Sequence, residues 1–177
     1  AACLGALAQQ VPNMVCASAD PSNSDKTDGF LKYTKSLVKD DYSGAFFQAG
    51  VSELTMACMC IGMYLHGGVI PACGTFFVFS DYMKPAVRMA ALMQVPIKFI
   101  WTHDAFRVGE DGPTHEPVEQ EAQIRLIEKL KNHHGKDSVR VFRPADADET
   151  TVCWAMAMEN METPTALIFS RQNITKL

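Results

Sequence analysis

The sequence predicts an α/β fold: a three-layer sandwich with a mostly parallel six-stranded sheet. Short apolar runs of strand length alternate with longer stretches of helical period, which is typical of a parallel sheet covered by helices on both faces. Gly, Pro, Asp or His bounds each run, as expected where a strand ends. A chain of 177 residues with 47% hydrophobic content is large enough to bury one core. We therefore expect a single domain.

Six runs have the length and composition of strands: residues 14–18, 45–49, 69–73, 97–101, 139–143 and 165–170. Four stretches have helical period: residues 53–65, 80–93, 117–133 and 148–161. The apolar start of the chain predicts a further helix, because no positive charge precedes it and it does not resemble a signal peptide. Residues 20–42 are polar and aperiodic, so they predict a long loop with at most a short helix.

The composition argues against two classes of partner. The formal net charge is -4 and Lys and Arg are spread along the chain, so there is no basic stripe for a nucleic-acid backbone. The longest nearly uncharged apolar run, residues 56–65, is too short to span a bilayer. We therefore expect a soluble protein that binds neither nucleic acid nor membrane.

The six cysteines predict reduced, buried thiols in a cytoplasmic protein. They show no CxxC spacing, and most lie in apolar segments where a thiol packs as a small hydrophobic group. Cys58 and Cys60 could form a metal or redox pair, but residues two apart on a helix point in different directions. We expect no metal ligands in this chain.

Polar residues follow the predicted strands at the positions where a parallel sheet binds its ligands, the carboxyl ends of the strands. These positions should converge on one rim. They are, in strand order, Asp20, then Gly50 and Glu53, then residues 74–76, then His103 and Asp104.

Glu53 opens a predicted helix whose next dozen residues are almost all apolar, which implies a helix that runs through the interior. A desolvated carboxylate there could share a proton with a basic ring nitrogen. The alternative is that Glu53 only complements the positive end of the helix dipole. The aromatic set Phe76, Phe77, Phe79 and Tyr82 leaves the same choice open, between core packing and a cofactor wall.

Residues 103–115 predict a loop dense in ionisable groups, because three Gly or Pro residues interrupt any regular structure. Two histidines lie there among acidic residues, directly after a buried strand. That combination indicates a polar binding site.

Two long motifs give the chain a resemblance to the transketolase family. WTHDAFRVGEDGPTHEPVE, residues 101–119, resembles the family's THD-x-x-x-x-GEDGPTHQP-x-E, and residues 74–93 resemble its GTF-x-x-FSDY-x-x-xA-x-R-x-x-ALM. ASAD, AGVSELTM, RPAD and TALIFSRQN extend the similarity over nearly the whole chain. The resemblance implies that residues 1–177 are a pyrimidine-binding domain, from which the N-terminal diphosphate-binding domain and the C-terminal domain are absent.

The reaction that the resemblance implies is the transfer of a two-carbon ketol unit from a ketose phosphate to an aldose phosphate, in the pentose phosphate pathway, with thiamine diphosphate and Mg²⁺. In the family, the residue that matches Glu53 binds N1′ of the aminopyrimidine and favours the imino tautomer that removes the thiazolium C2 proton. Phe76, Phe79 and Tyr82 match the aromatic wall around the pyrimidine. Asp20 matches a carboxylate close to the cofactor.

The same resemblance implies a set of substrate contacts. His103 is expected near the substrate phosphate, Asp111 near the sugar hydroxyls and His115 facing donor and acceptor hydroxyls, with both histidines counted among the catalytic residues. Ser24 and Arg143 match phosphate ligands, for which a charge-assisted guanidinium contact is physically reasonable.

Some features depart from the family pattern. Ser52 and Leu54 stand where the family has Arg and His beside its glutamate, and Pro21 replaces a Leu. No GDG…N segment for diphosphate and metal is present. The resemblance therefore implies that this fragment alone is inactive, that the Mg²⁺ ligands come from the N-terminal domain, and that a homodimer shares the site across its subunits.

Three other functions stay open. Dihydroxyacetone synthase and 1-deoxyxylulose-5-phosphate synthase share this module, although GEDGPTHEP fits the latter poorly. A non-catalytic transketolase-like subunit would use the domain only for dimerisation. Its support is the pair of substitutions at Ser52 and Leu54, whereas a pure interface has no use for Glu53, His103 and Asp111.

Overall fold

The computed structural model describes residues 1–19, 22–106 and 108–174. Within them, six strands form one sheet in the order β2-β1-β3-β4-β6-β5, and every neighbouring pair is parallel. The strands are β1 (Met14–Ser18), β2 (Phe46–Gln48), β3 (Ile70–Phe76), β4 (Lys98–Thr102), β5 (Arg140–Phe142) and β6 (Thr165–Ile168). The predicted six-stranded α/β sandwich is confirmed.

Helices cover both faces of the sheet. They are α1 (Ala2–Gln10), α2 (Asp28–Leu31), α3 (Glu53–His66), α4 (Ser80–Met93), α5 (Gln120–Lys129) and α6 (Ala147–Glu159). Short 3-10 helices lie at Phe77–Phe79 and Gly109–Asp111. The predicted N-terminal helix is confirmed. Where the structure describes the polar segment 20–42, its one helix is the short α2, and isolated bridges join Ser36 to Phe46 and Val38 to Asp41.

Two cores form because alternate residues of each strand point to opposite faces of the sheet. On one face, Phe99 and Trp101 of β4 belong to a core with side chains of α3, α4 and α5. On the other, Ile100 belongs to a core with side chains of α1, α2 and α6. The sheet is thus buried on both sides, which is the three-layer arrangement that the apolar runs predict.

The strand order creates a crevice at the carboxyl edge of the sheet. β1 and β3 are neighbours, yet the chain continues from β1 outward to β2 and from β3 in the other direction to β4. Loops that leave adjacent strands in opposite directions leave a gap between them, and α/β proteins bind ligands at such a switch point.

The third strand is longer than the sequence predicts. The prediction ends the strand at residue 73 and places residues 74–76 after it, but β3 continues through Phe76. Gly74 is needed for a close approach: a Cβ there would lie 2.5 Å from Cγ2 of Thr27. Glycine in a strand often marks such a close approach, so Gly74 lies within β3 and does not end it.

The fifth helix is shorter than the predicted range 117–133. It begins at Gln120, whose side-chain oxygen accepts a hydrogen bond from the backbone N–H of Val118 at 2.8 Å. It ends where Leu130 becomes extended, with ψ 141°. These local contacts stop the helix although apolar residues continue. The other elements agree with their predicted bounds to within two residues, apart from β3.

In the part of the chain that the structure describes, no helix is long and apolar enough to cross a membrane. All six cysteines are free thiols, as predicted. Burial raises the pKa of the thiols of Cys16 and Cys73. Cys58 is exposed, which corrects the expectation of burial, because it lies on the outer face of α3.

Candidate functional site

Side chains from several predicted positions meet at the carboxyl edge of the sheet. Phe76 ends β3, and His103 directly follows β4, the neighbouring strand. Their ring centroids are 3.9 Å apart. Residues that are 27 positions apart in the sequence therefore meet because they follow the carboxyl ends of neighbouring parallel strands, as predicted.

An aromatic wall extends from Phe76 toward solvent. Phe76 and Phe79 stack with ring centroids 5.9 Å apart, and Phe79 and Tyr82 stack at 6.1 Å. Phe76 is 4% exposed, whereas Tyr82 is 62% exposed. The wall thus has a buried end in the core and an open end that offers an aromatic face to a ligand or to another protein surface.

Both histidines of the loop contact this wall. The ring of His115 lies 5.6 Å from Phe76 and 5.4 Å from Phe79, while His103 packs on Phe76. The predicted cofactor wall and two of the predicted substrate residues therefore form one continuous surface. A flat ring against the wall would also be next to the histidines.

His103 is buried and neutral at pH 7. Burial lowers its pKa to about 4, an effect that the opposing Asp111 does not overcome and that Arg171 and His115 reinforce. Its Nδ1 lies 2.9 Å from Oγ1 of Thr102, and its Nε2 lies 3.5 Å from Oδ2 of Asp111. Because the backbone φ is +64°, a conformation that costs a non-glycine residue energy, the loop holds this ring in a strained position.

Glu53 is buried at the start of α3. Its residue is 7% exposed, and among the described residues its carboxylate has no hydrogen-bond or ion-pair partner. Ser52 does not cap the helix, because its hydroxyl donates to the carbonyl of Ala49 at 2.9 Å. Glu53 therefore lies at the positive end of the helix dipole with its hydrogen-bonding capacity unused.

The helix that follows Glu53 is not wholly interior, which corrects the sequence-based expectation. Met56 and Cys60 are fully buried, but Leu54 and Met59 are exposed. A helix on the outside of a three-layer sandwich has only one face against the sheet, so its second apolar face points outward.

Arg143 is held by acidic side chains. Its Nε and Nη2 lie 3.2 and 3.1 Å from Oδ2 of Asp104, and its Nη1 lies 3.2 Å from Oε2 of Glu121. Asp104 is 8% exposed, so this part of the ion-pair cluster is largely shielded from solvent. Sequence reasoning placed Asp104 on the rim but missed its pairing with Arg143, and it missed the contribution of Glu121.

The predicted residues are not all brought together. Among the described residues, no hydrogen bond, ion pair or ring contact joins Glu53, Ser24 or Arg143 to the aromatic wall. Ser24 lies half-buried in the loop after β1. Asp20 lies outside the described residues.

Arg171 is a site residue that sequence reasoning did not identify. Its Nε lies 2.8 Å from Oδ2 of Asp111, and its Nη2 pairs with Glu110. Its position did carry a signal, because Arg171 follows the carboxyl end of β6 closely. The search for polar residues after the strands stopped at the fourth strand along the chain and so did not reach it.

The family model for "Transketolase, pyrimidine binding domain" matches residues 1–176. A transketolase from Halalkalibacterium halodurans is 47% identical over 98% of this chain, and the chain spans 24% of that relative's length. The solved structure of a Pichia stipitis transketolase complex with sedoheptulose 7-phosphate has a TM-score of 0.87 at 34% identity, covering 98% of this chain and 25% of that one.

A further solved structure, a split-gene transketolase in the form of an inactive β4 tetramer, has a TM-score of 0.72 at 27% identity. It covers 98% of this chain and 50% of that one. The fold, the aromatic wall with its two histidines and the family match over residues 1–176 agree. The chain belongs to the family of transketolase pyrimidine-binding domains.

Proposed function

We propose that this chain provides the pyrimidine half of a thiamine diphosphate site, in a transketolase that moves a two-carbon ketol unit from a ketose phosphate to an aldose phosphate. The observation that carries the proposal is the contact of Phe76 with both Phe79 and His103. It makes the wall for a flat ring and the side chains for a sugar substrate parts of one surface. Two histidines against the wall, one of them buried on Phe76, are more than a purely apolar core cluster needs.

The residues present fit the pyrimidine end of the cofactor. The wall of Phe76, Phe79 and Tyr82 offers stacked aromatic faces, and Glu53, 7% exposed, offers a carboxylate without a partner among the described residues. A carboxylate in that setting can hold a proton that it shares with a ring nitrogen. When bound, thiamine diphosphate supplies the nucleophilic carbon that carries the two-carbon unit.

The diphosphate end of the cofactor has no counterpart among the described residues. No group of three or more His, Cys, Asp or Glu side chains there could hold a metal ion. In our proposal the Mg²⁺ and the diphosphate are bound by an N-terminal domain of another subunit, so that a homodimer completes the site. The share of the relatives' length that this chain spans, about a quarter, is consistent with further domains.

The substrate phosphate is assigned to His103, Ser24 and Arg143, and the sugar hydroxyls to Asp111 and His115. Because His103 is neutral at pH 7, it would bind phosphate as a hydrogen-bond donor and not as a cation. The positive charge must then come from guanidinium groups such as Arg143. Asp20, which lies outside the described residues, remains assigned to the cofactor by resemblance alone.

A cytoplasmic location is part of the proposal. It is supported by the six free thiols, three of which are buried, since disulfides are rare in the reducing cytoplasm.

A non-catalytic role for the isolated chain is the second candidate. The split-gene transketolase that matches this chain is an inactive β4 tetramer, and the exposed apolar face of α3 would suit a subunit interface. The catalytic and the non-catalytic proposal both expect the isolated chain to be inactive. They differ in whether the full-length protein needs Glu53 and the two histidines for catalysis.

Isothermal titration of the 177-residue chain with thiamine diphosphate and Mg²⁺ tests the half-site. Stacking and one hydrogen bond contribute a few kcal/mol, most of which the cost of association offsets, so the Kd should be about millimolar or weaker. Micromolar binding would show that the diphosphate site lies within this chain. The full-length protein, assayed with xylulose 5-phosphate and ribose 5-phosphate, should transfer the ketol unit; absence of transfer would favour the alternatives.

A further inference from the structure

The loop after β1 crosses the gap between β1 and β3, where the strand order switches direction. Ser18, the last residue of β1, pairs with Gly74 of β3. A Cβ on Gly74 would lie 2.5 Å from Cγ2 of Thr27 and 3.4 Å from Oδ2 of Asp25. The loop therefore packs directly on the backbone of β3, at the crevice where α/β proteins bind ligands.

Asp25 is a buried carboxylate that fixes this loop. It is 0% exposed, and its two oxygens bond to different parts of the chain. Oδ2 accepts a hydrogen bond from the hydroxyl of Ser18, which ties the loop to the end of β1. Oδ1 accepts from the N–H of Thr27 at 3.0 Å and from its hydroxyl at 2.6 Å. These last two bonds bridge over residue 26 and so close a tight turn.

Lys26, the residue enclosed by this bridge, has a strained backbone. Its φ is +64°, in the left-handed region that favours glycine. A side chain keeps such a conformation only where surrounding contacts impose it. The side chain of Lys26 is exposed, so its own packing does not supply those contacts. The bonds from Thr27 to Asp25 do span the turn, and we therefore infer that its shape depends on Asp25.

The turn places a cation beside His103. Lys26 lines a cavity of about 400 Å³ together with Thr102 and Arg171, and Oγ1 of Thr102 lies 2.9 Å from Nδ1 of His103. Burial is the main cause of the lowered pKa of His103, and the positive charge of Lys26 also lowers it. Among the described residues no ion pair holds the ammonium of Lys26, whereas two carboxylates hold Arg143. The charge of Lys26 is therefore available to an anion in the cavity.

We propose that Asp25 is a positioning residue: it holds Lys26 in the left-handed turn that directs the ammonium group to the cavity, where Lys26 binds the phosphate of a sugar phosphate. The phosphate part rests on the proposed function, in which a neutral His103 leaves the positive charge to other side chains. Asp25 is itself fully buried, so it acts through Lys26 and not by contact with substrate. Without its carboxylate, the turn would relax and Lys26 would extend into solvent.

The proposal is tested with variants of the full-length protein. Asp25→Ala removes both oxygens, whereas Asp25→Asn keeps an acceptor for Thr27 and offers an amide donor to the end of β1. Lys26→Gln removes the cation from an exposed side chain and should leave the fold intact. Asp41→Ala is the matched control, because Asp41 accepts the same pair of bonds, from the N–H and the hydroxyl of Ser43, in an exposed loop ahead of β2.

Two measurements are compared: hydrogen–deuterium exchange of the peptide that contains residues 22–31, and the steady-state constants for xylulose 5-phosphate and for an unphosphorylated ketose. For Asp25→Ala we expect about tenfold faster exchange and a KM for xylulose 5-phosphate raised about tenfold, with smaller changes in kcat and for the unphosphorylated ketose. Lys26→Gln should raise that KM equally without faster exchange. Asp25→Asn and Asp41→Ala should stay within about twofold of the wild-type KM.

A double-mutant cycle decides whether Asp25 acts through Lys26. The KM of the double variant Asp25→Ala, Lys26→Gln should be no higher than that of either single variant. A KM raised about a hundredfold, the product of the two single effects, would show that the residues act separately and would overturn the proposal. Unchanged exchange in Asp25→Ala, or an unchanged KM in Lys26→Gln, would overturn it as well. A purely structural role for Asp25 would impair both substrates equally, which also contradicts it.

A second variant covers the case in which Asp25→Ala does not fold. Thr27→Val removes only the hydroxyl that donates to Oδ1 of Asp25, so it takes the place of Asp25→Ala in the cycle, and the same outcomes decide. If the full-length protein transfers no ketol unit, the proposed function fails. The exchange data would still show whether Asp25 holds the turn at Lys26, because exchange does not require turnover.

Discussion

Strand β4 has a buried base at each end, and the two bases behave differently. Lys98 begins the strand and His103 directly follows its end. Desolvation lowers the pKa of both, to about 8 for Lys98 and to about 4 for His103. At pH 7 the lysine is therefore mostly charged and the histidine is neutral.

Their surroundings explain the difference. Lys98 donates a hydrogen bond of 2.7 Å to the carbonyl of Asn160, whose own side chain is bonded to Thr163 and Thr165. The members of this network, at the amino edge of the sheet, bond to one another. His103 at the other edge contacts Thr102 and faces Asp111 at 3.5 Å, so its Nε2 is not used by a close protein partner.

The two edges of the sheet differ in whether their buried polar groups have protein partners. At the amino edge, the polar groups of the network around Lys98 and Asn160 bond one another and contribute to stability. At the carboxyl edge, Glu53 and His103 retain donor or acceptor capacity, which in our proposal is used by the cofactor and the substrate. Variants at the two edges should therefore affect different observables.

The largest effect is expected from Glu53→Gln in the full-length protein. An amide cannot hold the shared proton, so we expect kcat to fall by about 10² to 10⁴. The melting temperature should stay within a few degrees, because the carboxylate has no described partner to lose. Steady-state assays and calorimetry measure the two. Near-normal turnover would contradict the role of Glu53. A large fall in the melting temperature would show that Glu53 contributes mainly to stability.

Lys98 should show the opposite pattern. Lys98→Met keeps the apolar stem, whereas Lys98→Ala leaves a cavity, so the methionine variant should be the more stable by about 3 kcal/mol. Both variants should keep the wild-type kcat in the full-length protein. Denaturant unfolding gives the stability difference. If both lost activity at unchanged stability, the division of the sheet into a structural and a functional edge would be wrong.

The two bases should also separate by pH. A base with a lowered folded pKa costs stability while it is charged, so stability rises as pH rises from the folded value to the unfolded one. For Lys98 that window runs from about pH 8 to 10.5, and for His103 from about pH 4 to 6.5. Each should contribute about 2 to 3 kcal/mol over its window. The unfolding curve of the wild type should show both windows, whereas Lys98→Met and His103→Gln should each lose one. A variant whose curve keeps both windows would refute the assignment.

A smaller effect is expected from His103→Ala and Arg143→Ala. Each removes a proposed phosphate contact, so KM for phosphorylated sugars should rise about tenfold, with less change for unphosphorylated analogues. Arg143→Ala also leaves Asp104 without its cation, and Arg143→Lys serves as the charge-keeping comparison. Equal losses on both substrate types would mean that these residues do not bind the phosphate.

The smallest effect is expected from Glu121→Gln. Its Oε2 lies 3.2 Å from Nη1 of Arg143, so it places a negative charge where a phosphate would have to approach. Because the pair is about one-third exposed, we expect KM for phosphorylated sugars to fall only about two- to threefold. Glu128→Gln is the matched control, since both glutamates lie on the same helix and pair with Arg125, but only Glu121 of the two also pairs with Arg143. Equal changes in both variants would exclude a specific role for Glu121.

Periodicity and the strand-end rule predicted most of the fold and the meeting of Phe76 with His103. They did not predict Lys98, which the sequence places in the second position of an apolar strand where a charge is unexpected. The charged group of Lys98 is accommodated there because it donates a hydrogen bond to a backbone carbonyl 62 residues away in the sequence. Arg143 and Arg171 share this problem, because their carboxylate partners come from distant segments and long-range pairing leaves no local pattern.

The position of β6 has a consequence for the order in which the molecule assembles. β6 lies between β4 and β5, so among the described strands β5 has no neighbour until the chain has passed residue 165. β2, β1, β3 and β4 can pair earlier, during synthesis. The ion pair between Arg171 and Asp111 also forms late, because Arg171 follows β6. A nascent chain could therefore form the aromatic wall before it completes the sheet on the side of β5.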